Sequence, residues 1–361
     1  MEFKRHYTRK DLEELFDGGF ELPEGFLFGC ANAAYQVEGG INGTGQPLNN
    51  WAELERSGRV EPSAEAIRWW TDYPRQVEMA AGMGLNALRI GIEWARVQPS
   101  TSATSTAAGT PDFDLAAIEA YADMVASVKR AGMEPVVTLQ HFTHPRWLGP
   151  DFWLEREHLG LFERYVEEVS VRLNSLLVEK HSLDPVRYWI TVNEPNGLAF
   201  MTYALGAFPH GKRGISRAYT ALNNLIEAHC LAYDALHRIY RDNSWGAPSV
   251  TYNTISVSVY GADKIITDLL NARRNGVERS GLPEYLEQGK AAWDAEVAKS
   301  PAVVKASALG RGAERLICEG FRRMSTAERF SGAADAVYRS EFPDKLDLLA
   351  LDFYDPFLRN M

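Results

Sequence analysis

Short apolar runs rich in β-branched residues alternate with longer amphipathic stretches through most of the chain. Six runs have the length and composition of strands: 26–32 (FLFGCAN), 87–92 (ALRIGI), 135–140 (PVVTLQ), 187–192 (RYWITV), 249–254 (SVTYNT) and 346–351 (LDLLAL). Between them, 74–83, 114–131, 160–178 and 216–240 carry apolar residues at three- and four-residue spacing and read as helices. Strand, helix and strand repeated in this way predict βαβ units and a parallel sheet, hence an α/β fold. The Gly/Thr/Ser/Ala stretch at 100–111 predicts a surface loop, and 262–340 predicts a mostly helical excursion between the fifth and sixth strands. No low-complexity linker interrupts the pattern, so 1–361 reads as one domain.

The polar residues with chemistry sit at or just past the ends of these strands. They are Gln36 and Glu38, Glu93 and Arg96, His141 and His144, Asn193 and Glu194, Asn253, and Asp352 with Tyr354. Gln36, Arg89, His141 and Glu194 follow one another at 53, 52 and 53 residues, so one decorated βα unit recurs about every fifty residues. In parallel α/β barrels the carboxyl ends of the strands converge on one mouth, and this placement predicts such a convergence.

Composition narrows the classes. Of the 361 residues 45% are hydrophobic, enough for a large core. A formal net charge of −10 with no long basic run argues against a nucleic-acid partner or a polybasic membrane anchor. Cys30, Cys230 and Cys318 are odd in number and lack C-x-x-C spacing, which predicts neither a disulfide framework nor a thiolate metal site and fits a reducing compartment. The opening residues lack an apolar signal-peptide core, and no stretch approaches the ~18 apolar residues of a membrane span; the expectation is a soluble, cytoplasmic chain.

Four segments carry candidate chemistry. "TVNEP" places Glu194 after an apolar strand, where partial desolvation or a nearby anion would let it hold a proton; Asn193 beside it can bond a ligand hydroxyl, and Pro195 biases Glu194 away from the α region. The alternative is an ordinary strand-to-helix turn. "LQHFTHPRW" sets His141 and His144 three residues apart near Trp147. Without a third ligand at metal spacing, a sugar site suits it better than a metal: an indole face packs on a pyranose and imidazole bonds its hydroxyls. In "LRIGIEWARVQP", Arg89 lies within a strand and requires an anionic partner, either a catalytic carboxylate or a structural one, whereas Arg96 reads as a structural ion pair. Gln36, in "FGCANAAYQVEGG", offers donor and acceptor together to vicinal hydroxyls.

Taken in order, "FLFGCANAAYQVEGG", "RIGIEWARVQP", "VVTLQHFTHPRW", "WITVNEPN" and, less closely, "LDLLALDFYDP" resemble family 1 of the glycoside hydrolases, retaining β-glucosidases and β-galactosidases built on a TIM (β/α)8 barrel. The resemblance runs from residue 23 to 361 and implies a barrel that is incomplete here, with about six βα units. It implies Glu194 as general acid/base, Asn193 on the sugar 2-hydroxyl, Gln36 and His141 on the glycone, and Arg89 against the nucleophile. Tyr354 would bond that nucleophile, Trp147 would shape the mouth, and Asn253 would match a fifth-strand asparagine. No cofactor and no metal are implied; the partner is a small-molecule β-glycoside or oligosaccharide.

Two departures stand out. Asp352-Phe353-Tyr354 replaces the usual Asn-Tyr-Tyr and adds a carboxylate. The family's nucleophile follows a seventh strand, which the resemblance places beyond residue 361; Glu319 in "LICEG" is the one lookalike, but its surroundings read as a helix. A retaining mechanism needs two carboxylates ~5 Å apart. The expectation is therefore a β-glycosidase that needs a completing segment, or a homo-oligomer, to close its barrel. A catalytically inactive carbohydrate-binding remnant and another barrel hydrolase with its acid on the fourth strand are the alternatives.

Overall fold

The computed structural model describes residues 23–100, 109–255, 264–299, 323 and 326–352. Tyr354 and Glu319 lie outside the described residues. Six strands form one sheet: β1 (Gly29–Ala31), β2 (Ala87–Gly91), β3 (Glu134–Thr138), β4 (Tyr188–Asn193), β5 (Ser249–Ile255) and β6 (Ala350–Asp352). They lie side by side in chain order, each pair parallel. Sequential parallel order is the topology of a (β/α) barrel wall, and six strands make an incomplete, curled one. Among the described residues β1 and β6 each have one neighbour, and apolar side chains line both edges: Phe28 and Leu349 are each 59% exposed. A closed barrel would cover them.

The helices are α1 (Ala34–Val37), α2 (Ala52–Arg56), α3 (Trp69–Gly82), α4 (Trp94–Val97), α5 (Leu115–Arg130), α6 (Leu159–Glu179), α7 (Pro195–Ala199), α8 (Ile215–Asp242), α9 (Ile265–Ala272), α10 (Leu282–Lys299) and α11 (Ser331–Arg339). Helix α5 shows how the sequence makes them. Asp114 caps it by accepting from the Ala117 N–H at 3.0 Å, and Ile118, Tyr121, Ala122, Val125 and Val128 bury one stripe against the sheet. Helix α3 begins five residues before the position the periodicity predicts, with Pro74 inside it. The Trp70 N–H donates to the Glu38 carbonyl at 3.2 Å, which seats the extra turn on the loop after β1.

Both edge strands are shorter than their apolar runs. Residues 346–349 precede the ladder because side chains of α8 hold them first. The Asp347 carboxylate accepts from the Val250 N–H (2.7 Å), Tyr233 Oη (2.7 Å) and His237 Nε2 (2.9 Å). Lys345, fully buried, donates to Asp234, to Ser340 Oγ (2.6 Å) and to the Phe342 carbonyl (3.0 Å). Only then does β6 pair with Asn253–Ile255, which delivers Asp352 to the strand ends. The core lies between sheet and helices. Trp94, just past β2, stacks on Tyr165 of α6 at 4.6 Å, and Tyr165 donates to the Leu139 carbonyl at 2.8 Å, tying α6 to the exit of β3.

Candidate active site

Arg89 is the hub of the strand ends. It sits in mid-β2, flanked by Leu88 and Ile90, which are buried, so alternation turns its guanidinium to the opposite, inner face. Its Nε donates to Thr138 Oγ1 (2.7 Å) and its Nη2 to Asn193 Oδ1 (2.5 Å). Nη2 also reaches His141 Nδ1 at 3.4 Å, and Nη1 lies 4.0 Å from Asp352 Oδ1. Asn253 Nδ2 closes the cluster by donating to both Asn193 Oδ1 (2.9 Å) and Asp352 Oδ2 (2.6 Å). Side chains from β2, the β3 exit, β4, β5 and β6 thus meet through hydrogen bonds, as their spacing in the chain predicts.

Because guanidinium can only donate, His141 Nδ1 must be the acceptor and the ring proton sits on Nε2. Burial and the charge of Arg89 push the His141 pKa down to about 4, so at neutral pH the ring is an uncharged donor. His144 is turned away. Its Nε2 bonds the Gly149 carbonyl at 2.9 Å and it is packed on Phe152. Among the described residues no three His, Cys, Asp or Glu side chains group as metal ligands.

Glu194 follows β4 directly. Its N–H still bonds β5, at the Asn253 carbonyl (2.7 Å), while its own carbonyl already accepts from Leu198 to open α7 (2.8 Å). A register shift between Ile190 and Asn193 re-aims the strand end. With no linking residue, strand turns to helix at Glu194 itself, in the left-handed region (φ +43°, ψ +61°) rather than the extended one favoured before proline. Such a conformation costs about 1–3 kcal/mol and collects at functional sites. The residue is 8% exposed.

Not every predicted residue joins the cluster. Gln36, on α1, is exposed and makes no side-chain hydrogen bond among the described residues. Gly91 explains why α1 lies so close: a Cβ there would come within 2.7 Å of the Ala34 nitrogen. Trp147 is half-buried and donates from Nε1 to the Gln98 carbonyl at 3.0 Å, so it belongs to the rim. Thr138 was not among the predicted residues; it pairs with Gly91, two residues on from Arg89 in β2, and a lone hydroxyl in the apolar run VVTL is the signal that could have found it. A cavity of about 650 Å³ lies elsewhere, lined by Glu38, Asn42, Glu55, Arg68 and Trp70, and shares no residue with the Arg89 cluster.

Beneath the rim, a second polar group braces β1 to β2 and β3. Arg96 donates from Nε to Glu38 Oε2 (2.9 Å) and stacks on Trp70 (3.9 Å), while Tyr121 donates to Glu38 Oε1 (2.6 Å). Arg96 is a structural ion pair, as its sequence position suggests. Glu93 accepts from Thr143 Oγ1 at 2.9 Å, linking β2 to the loop that carries His141. Two buried glutamates share one arginine, and burial plus the charge of Glu38 push Glu93 up to about 7 from 4.5. The folded state therefore binds a proton that the unfolded chain releases above pH 4.5. Its stabilising contribution is complete below that pH and is lost as pH rises to about 7. Glu93→Gln is expected to remove the loss. The stability of the variant relative to the parent should climb by about 3 kcal/mol between pH 4.5 and 7.5 in urea unfolding, and a flat difference would show that Glu93 ionises normally.

A sequence profile described as Glycosyl hydrolase family 1 matches residues 20–274. Coniferin beta-glucosidase of Pinus contorta is 29% identical over 63% of this chain and 45% of its own length. 6-Phospho-beta-galactosidase 1 of Streptococcus pneumoniae is 31% identical over 60% of this chain and 43% of its own. The chain spans about half the length of the curated relatives it matches. Among solved structures, the beta-glycosidase from Pyrococcus horikoshii superposes with a TM-score of 0.52 at 28% identity, over 70% of this chain and 54% of that one. A beta-glucosidase from Thermotoga maritima, 20% identical, shares the fold over 92% of this chain and 66% of that one at a TM-score of 0.62.

Proposed function

The chain belongs to glycosyl hydrolase family 1, and from that membership we propose that it supplies the sugar-binding wall and the acid/base carboxylate of a retaining β-glycosidase. The observation that carries this reading is the cluster itself, in which Arg89, His141, Asn193 and Asn253 interlock at successive strand ends beside Glu194. Neutral His141 offers an Nε2 donor to a hydroxyl, and Asn193 offers its amide. Glu194, nine-tenths buried, protonates the departing glycosidic oxygen and later takes a proton from water. The second carboxylate comes from a segment that completes the barrel by pairing with the edges of β1 and β6 that are open among the described residues. Substrates are β-glycosides of the class named for the relatives, with Trp147 at the rim. Among the described residues no helix is long and apolar enough to cross a membrane.

Calorimetric titration of the 361-residue chain with glucose tests the binding half of the proposal. Saturable binding at millimolar concentration, lost on Asn193→Ala, is the expected result. Heat that does not saturate, or that is unchanged by Asn193→Ala, would remove the sugar from this site.

A further inference from the structure

We propose that Asp352 is a positioning residue: with Arg89 it fixes the direction in which the side-chain amides of Asn193 and Asn253 face, and so leaves Asn193 as a donor-only contact for a ligand hydroxyl. The ligand part of this inference rests on the sugar-binding reading above. An asparagine side chain can exchange its oxygen and nitrogen by a half-turn, and only its neighbours decide between the two. Here the two ends of the hydrogen-bonded row decide. Arg89 has donors alone, so Asn193 must present Oδ1 to its Nη2 (2.5 Å). The same Oδ1 accepts from Asn253 Nδ2 (2.9 Å). The other hydrogen of that nitrogen goes to Asp352 Oδ2 (2.6 Å), and an ionised carboxylate has acceptors alone.

With a donor-only group at one end and an acceptor-only one at the other, the row has a single consistent assignment, in which Asn193 Oδ1 accepts from both neighbours and Asn253 Nδ2 donates to both. Both lone pairs of Asn193 Oδ1 are then occupied, and its Nδ2 hydrogens are what remains for a ligand. Charge assistance at both ends makes these stronger than bonds between neutral amides. Asp352 can hold this place because the Lys345 and Asp347 anchors fix the segment leading into β6, and because Ile255 and Asp352 are paired in the ladder. The sequence gives the residue type but not its partner: Asn253 lies 99 positions away.

Two readouts on 15N-labelled protein separate this role from a general effect on folding. In the parent chain the Asn253 side-chain amide should exchange slowly with water, and its two protons should give separate, dispersed signals. Asp352→Ala should speed that exchange, and Asp352→Asn, which keeps an acceptor, should restore it. An Asn253 amide that exchanges as fast as a free amide in the parent, or that is equally protected in Asp352→Ala, overturns the proposal. The parent measurement needs no variant to fold. For the ligand, glucose should bind about tenfold tighter than 2-deoxyglucose to the parent and to Asp352→Asn, the size expected for one hydrogen bond. In Asp352→Ala, where Asn253 loses the acceptor that holds its Nδ2 on Asn193 Oδ1 while Arg89 remains, that ratio should fall below tenfold, and an unchanged ratio counts against the role. If the parent binds neither sugar while the amide readouts behave as expected, the sugar-binding reading fails and the positioning role stands.

Discussion

Glu194→Gln is expected to slow hydrolysis of an alkyl β-glucoside by about 10²- to 10⁴-fold, the range for loss of a general acid. On the proposed function the assay uses the chain assembled with a segment that closes its barrel. Glutamine preserves the shape of the side chain at a strained backbone position and removes only the transferable proton. A dinitrophenyl glucoside carries a leaving group that departs without protonation, so its glycosylation step should be far less affected. Sugar affinity should hardly change, because Asn193, His141 and Arg89 are untouched. Equal losses on both substrates would mean that Glu194 holds the site together and does not transfer a proton.

Arg89→Leu is the most disruptive single change the site predicts. It removes the donor from Asn193 Oδ1, Thr138 Oγ1 and His141 Nδ1 together, and leaves Asp352 without its cation. Stripping one partner from a buried charge pair costs about 3–5 kcal/mol; Asp352 is partly exposed and 4.0 Å away, which places the loss near the lower figure. Glucose affinity should fall by about 100-fold or more, since the amide row loses its fixed end and His141 its fixed tautomer. Arg89→Lys should retain part of the stability and little of the binding, because an ammonium cannot reach three acceptors in the planes a guanidinium serves. Glucose binding to a folded Arg89→Leu protein at parental affinity would disprove the hub assignment.

Much of this was legible in the chain because barrel topology converts a local period into a shared place. Gln36, Arg89, His141 and Glu194 recur at nearly equal spacing; Arg89 and His141 meet in the cluster, Glu194 directly follows its Asn193 in the chain, and Gln36 stands apart from it. The boundaries that shifted did so where side-chain anchors outweigh the apolar pattern. Asp347 and Lys345 pin residues 345–347 to α8, so β6 starts at Ala350 although the run LDLLAL begins four residues earlier. Polar partners were the least legible part. That Arg89 leans on Thr138, that Glu93 takes a hydrogen bond from Thr143, and that Asn253 joins Asn193 to Asp352 depend on strand register, which periodicity alone does not specify. The left-handed Glu194 also has no sequence signature, because proline ordinarily favours an extended residue before it.

The most direct test is turnover of 4-nitrophenyl β-glucoside by the 361-residue chain, alone and mixed with a polypeptide carrying the last two βα units of a family relative. The expected result is no turnover by the chain alone, turnover on mixing, and loss of that turnover in Glu194→Gln. Turnover by the chain alone, abolished by Glu194→Gln, would contradict it by showing that both carboxylates already lie within these 361 residues.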